Sequence, residues 1–153
     1  MAETIFALFA AIEHSALGLS IRNAHTAYPL ANITHVLAVV VFFAFVSTMD
    51  VAVLRRSVGE ARVTLQSTRK WAMLAFLFVL VSGAIMFIAE AGVLVKNASF
   101  QIKMAAIALS GLNLWLFGRL DDRGWLGGMR CLAFLSLMLW LLAIAGGRGI
   151  AYL

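Results

Sequence analysis

The chain has 153 residues, 63% of them hydrophobic and only 12% charged, and its mean hydropathy is +0.99. That composition excludes a water-soluble domain, and the length leaves no room for a separate catalytic domain beside membrane spans of about 20 residues each. The net charge of +5 does not indicate nucleic acid, because the Lys and Arg residues fill the gaps between apolar runs and form no basic stripe with interleaved aromatics.

The opening MAETIF is acidic and lacks the positively charged start of a secretory signal, so the N-terminus is read as retained. Over residues 4–22, Ile5, Leu8, Phe9, Ile12, Ala16 and Leu19 recur at helical spacing. Glu3, Ala7, Ala10, His14, Gly18 and Arg22 form a small and polar opposite face. This pattern predicts an amphipathic helix in the headgroup plane that leaves Glu13, His14 and Arg22 hydrated; the alternative is a fifth span. Tyr28 and Pro29 mark a turn into the first crossing.

Spans are expected at about 33–54, 71–89, 100–118 and 131–147. The first is stopped by Arg55 and Arg56, the second is entered through Arg69 and Lys70, and the last ends in GGRG. In the third, Lys103 can snorkel to the headgroups. The predicted fold is all-α: one integral membrane domain over residues 1–153, a transmembrane four-helix bundle preceded by an interfacial helix. Arg55, Arg56, Arg62, Arg69 and Lys70 occupy one loop and Arg119, Arg123 and Arg130 another, whereas the stretch Glu90 to Lys103 carries only two lysines. The positive-inside rule then places the Arg-rich loops in the cytoplasm and both termini outside, in the periplasm of a bacterial inner membrane. Trp71 and Trp125 read as interfacial anchors.

Ionisable groups at membrane depth are costly, so each is a functional candidate. His14, His25, His35, Glu13, Glu90 and Lys103 collect at the outer side. Imidazole can ligate haem iron, copper or zinc, and thioether sulfur suits Cu(I) or a haem. His35 with Met86 or Met104 could form a metal site, and His35 with His14 or His25 could hold a haem b. Ser82, Met86 and Glu90 share one face of the second span. The structural readings are as plain: hydrated interfacial histidines, methionines that fill gaps, and an interfacial ion pair between Glu90 and Lys103. Asp50 reads as a hydrated counter-charge to Arg55 and Arg56. Asn113 lies near midplane, one turn from Ser110, and reads as an interhelical clasp. Gly83 and Gly111 would let helices approach closely. Cys131 is the only cysteine and forms no intrachain disulfide.

No phosphate-cradling Gly loop, paired-cysteine motif, zinc-protease His pair or serine nucleophile motif occurs, so catalysis by the chain alone is not expected. Two functions remain. One is a haem or copper module at the outer edge for electron transfer or copper handling. The other is a non-catalytic subunit or scaffold for a periplasmic or membrane partner, a second copy of the chain included.

The runs IRNAHTAYPLANITHVLAVVVFFAFVSTMDVAVLRR and VSGAIMFIAEAGVLVKNASFQIKMAAIALSGLNLWLFGR resemble a bacterial family of small polytopic membrane proteins classed as a domain of unknown function. Tyr28, Pro29, His35, Asp50, Ser82, Gly83, Asn97, Phe100, Lys103 and Asn113 carry the resemblance over about residues 20 to 120. In helix count and scattered His, the chain is similar more loosely to the copper-resistance D membrane domain and to cytochrome b561-like four-helix proteins. The resemblance implies a membrane bundle and leaves the activity open.

Overall fold

The computed structural model describes residues 2–122, 125–150 and 152. Arg123, one of the orienting arginines, lies outside the described residues, as do the side chains of Glu3 and Ile5. The chain forms six helices: α1 (Ala2–Glu13), α2 (Ala16–Asn23), α3 (Ala27–Arg55), α4 (Val58–Leu94), α5 (Ala98–Asp122) and α6 (Leu126–Gly149). The last four are long and apolar enough to cross a bilayer, and the protein is accordingly an all-α, multi-pass membrane protein with four candidate spans.

Each expected span is the apolar middle of a longer helix, because hydrophobicity marks the hydrocarbon core while the helical backbone continues into the headgroups. Pro29 sits inside α3 rather than in a preceding turn; in a first helical turn its missing N–H leaves nothing unpaired. Between α3 and α4 the chain reverses within Arg56 and Ser57. There the Ser57 hydroxyl accepts from the Glu60 amide and the Glu60 carboxylate accepts from the Ser57 amide, closing a capping box. The next turn ends at Asn97, whose Oδ1 accepts from the Phe100 amide at 3.1 Å and starts α5. GGRG forms the last turn of α6, which ends at Gly149: a Cβ on Gly146 would stand 3.1 Å from the Ser99 carbonyl oxygen, so bare backbone is what lets α6 meet α5 there. Gly111 faces open space and serves no such contact.

Pairing follows the short turns, α3 with α4 and α5 with α6, and α3 joins the two pairs through α6. α3 and α5 therefore face each other across the bundle. Small residues dominate the two buried clusters. One is Ala52, Val53, Ala61, Met129 and Ala133, at the Arg-rich end. The other is Phe42, Val46, Ala75 and Val79, with Trp140 against it. Along α5 the usual order of a soluble protein is inverted: Asn113 is 5% exposed while its neighbour Leu114 is 71% exposed. With hydrocarbon as solvent, apolar side chains have nothing to gain by turning inward, and polar ones do.

The single N-terminal helix expected over residues 4–22 is two helices. The break falls at His14 and Ser15, and Ser15 caps α2 by accepting from the Gly18 amide at 3.2 Å. Both helices pack against α4, with Phe9 edge-on to Phe87.

Candidate functional site

His35 is the centre of a polar chain that crosses the bundle. Its imidazole rests on Gly83, where a Cβ would come within 3.2 Å of Cε1; the sequence pair Ser82-Gly83 thus supplies both a partner and the space for the ring. Nδ1 lies 3.1 Å from the Val79 carbonyl oxygen and 3.0 Å from Ser82 Oγ. At Nε2, 3.3 Å away, is the Lys103 ammonium. Lysine can only donate, so Nε2 accepts, and the ring proton sits on Nδ1, where the Val79 carbonyl accepts it. One neutral imidazole therefore ties α5 to α3 and α3 to α4. Lys103 does not snorkel outward as expected. Its stem runs along Gly146 and Gly147 of α6, which leave it a path into the bundle.

A second constellation lies beside it, at a break in α4. At Glu90 the backbone leaves the helix (φ −137°, ψ 28°), a departure that opens neighbouring backbone groups to outside partners. The N-terminal helices supply the partners: Arg22 Nη2 donates to the Ala89 carbonyl at 2.6 Å, and Glu13 Oε2 accepts from the Gly92 amide at 2.8 Å. Arg22 also donates to Glu13 Oε1 at 2.6 Å. That hydrogen bond, aided by the Gly92 amide, outweighs partial desolvation and holds the Glu13 carboxyl below the usual carboxylate range. The Glu13 carboxylate is thus turned onto α4 and not into water, correcting the expectation of a hydrated Glu13, whose side chain is 12% exposed; Arg22 stays exposed, as expected, while it reaches both partners. His14 does remain exposed. An unpaired backbone group at membrane depth costs several kcal/mol, which is the physical reason for this arrangement.

Glu90 does not pair with Lys103. It accepts from the Tyr28 hydroxyl at 2.8 Å, because the break turns it toward α3 while Lys103 points to the bundle interior. Between the break and the end of α6 is an open cleft of about 390 Å³ lined by Glu13, Arg22, Glu90, Val93, Leu94, Asn97 and Ile150. His25 is exposed, Met104 is exposed on the outer face of α5, and Met86 is half-buried. Among the described residues, no three His, Cys, Asp or Glu side chains converge on a possible metal position.

Farther along the bundle, Asn113 Nδ2 donates to the Leu132 carbonyl of α6 at 3.0 Å, and Ser110 returns its hydroxyl to Ala106. Asp50 is 9% exposed. Its expected role as a hydrated counter-charge is corrected: it faces α6, and the Arg55 and Arg56 side chains project away from the bundle. The Arg22 clasp, Tyr28 as partner of Glu90 and the packing of Gly92 against Glu13 are not legible in the sequence, where a polar residue on the small face of the N-terminal segment is the only signal.

No protein-family model, curated protein or solved structure matches the chain.

Proposed function

We propose that the protein is a non-catalytic subunit or scaffold of a bacterial inner membrane, one integral domain whose polar groups lock the bundle and shape a cleft for a partner. By the positive-inside rule the end carrying Arg55, Arg56, Arg62, Arg119 and Arg130 is cytoplasmic, so the cleft opens to the periplasm. One observation carries this reading: both ring nitrogens of His35 are engaged, and the group at Nε2 is an ammonium. A metal ion or haem iron at Nε2 would have to displace that ammonium and then sit beside its charge, where like charges repel far more strongly than in water.

The second reading is haem b or copper at His35, with His14, His25, Met86 or Met104 as further ligand, serving electron transfer or copper handling. It is supported by the place of Met86 one turn beyond Ser82, on the face of α4 that His35 touches. It requires Lys103 to leave Nε2.

The two are separated on purified protein expressed with ample haem and metals. The scaffold reading expects no Soret band and no stoichiometric copper, iron or zinc, and a lower unfolding midpoint in Lys103→Met. A Soret band or bound metal that His35→Ala abolishes, with helical circular dichroism intact, overturns it.

A further inference from the structure

Toward the Arg-rich end, beyond the reach of the His35 chain, three buried side-chain oxygens among the described residues have no hydrogen-bond partner: Ser47 Oγ, Asp50 Oδ2 and Asn113 Oδ1. Each unmet polar group in an interior costs about 1–3 kcal/mol, and more when charged, so three of them on facing helices need a common cause.

Contacts along the bundle place them in one layer. The register of α3 against α6 is pinned on one side by Arg130 Nε reaching the Val53 carbonyl at 3.4 Å, and on the other by the Phe42 ring 4.6 Å from Trp140. Between those points, antiparallel helices set Ser47 and Asp50 opposite the turn from Leu132 to Ser136. Ser136, itself buried, lies on that turn within reach of the Asp50 carboxylate. Asn113 addresses the same turn from α5, since its Nδ2 is fixed to the Leu132 carbonyl; Oδ1, on the other arm of that amide, is the atom left without a donor.

We propose that Ser47, Asp50, Asn113 and Ser136 form an oxygen-lined site for one dehydrated monovalent cation of sodium's size. The donor set is all oxygen, with no imidazole or sulfur, which suits a hard cation. Charge selects the valence. One carboxylate neutralises one positive charge, whereas a divalent ion would leave a surplus in a low-dielectric interior. No protein cation competes: the ion pairs among the described residues are Arg22 with Glu13 and Arg62 with Asp121, and Arg130 turns its Nε to a backbone carbonyl. A water molecule would leave the carboxylate charge in place, and a proton on Asp50 could satisfy only one of the remaining oxygens.

The test is the unfolding midpoint of the full chain in detergent as sodium chloride replaces choline chloride at constant ionic strength, together with equilibrium binding of radioactive sodium. Sodium is expected to raise the midpoint saturably, to bind at one equivalent and to exceed potassium in effect. Ser47→Ala, whose hydroxyl holds nothing in the fold, should weaken sodium at least about threefold, and Asp50→Asn more than about tenfold. Lys103→Met should leave the sodium response unchanged, which separates this site from the His35 chain. Equal midpoints in sodium and choline with no bound sodium, undiminished binding in Asp50→Asn, or stabilisation that follows pH alone would each overturn the proposal.

Discussion

Lys103 and His35 stand 68 positions apart in the chain, and their separate placement in apolar runs was plain from the residues alone. Their meeting was not, because it depends on the rotational phase of two helices that face each other across the bundle and have no short turn between them. The same blind spot led to the expected pairing of Glu90 with Lys103, which sequence proximity suggests and helix phase forbids. A double-mutant cycle of Lys103→Met and His35→Phe is expected to give a coupling of about 0.6–2 kcal/mol in unfolding free energy, the range of interhelical hydrogen bonds in membranes. Additive effects would mean that the two side chains act independently. Gly83→Val, which inserts bulk against His35 Cε1, should lower stability by about 1–3 kcal/mol through overpacking. His35→Ala in the same chain should recover part of that loss by making room.

At the scale of elements, α4 is held at its break by side chains from elsewhere. Glu13 contributes to docking through its ionised form. Because its titration is displaced downward, that contribution is complete above the ordinary glutamate value of about 4.3 and disappears as pH falls through the lowered one. An environment-sensitive fluorophore on Leu8→Cys should therefore report a docked α1 from neutral pH down to about 5 and release in stronger acid. Glu13→Gln should remove that acid transition. At neutral pH, Arg22→Ala should raise amide hydrogen exchange at Gly92 and Val93, with little change in the middle of α4. Continuous apolarity disclosed the four long helices, and the amphipathic face disclosed a helical N-terminus. Neither the break at Ser15 nor the one at Glu90 was visible, for serine and glutamate are also common inside helices and nothing local marks these two.

For the whole molecule, lipid as solvent explains the thin core, the outward leucines and the inward Asn113, Ser82 and Asp50 together. At about 1.5 Å per residue, the 37 residues of α4 make a rod of about 55 Å against a hydrocarbon thickness of about 30 Å, so its first turns, with Arg62 bound to Asp121, stand clear of the bilayer. The proposed orientation is checked by labelling single cysteines in sealed vesicles. Lys96→Cys should react from the periplasmic side and Gly59→Cys only from the cytoplasmic side; the reverse pattern would invert the sidedness.

The clasp on α4 also constrains the order in which the protein can be made. Arg22 and Glu13 leave the ribosome early, yet their targets, Ala89 and Gly92, follow 67 and 79 residues later. Until α4 is threaded into the bilayer, α1 and α2 lack their main partner, with only a small contact of α2 on α3 to hold them, and α4 cannot settle its bend before they arrive. Biogenesis therefore closes this bundle by returning to α1 and α2, and deleting them should yield a chain that inserts its four candidate spans but never finishes the second.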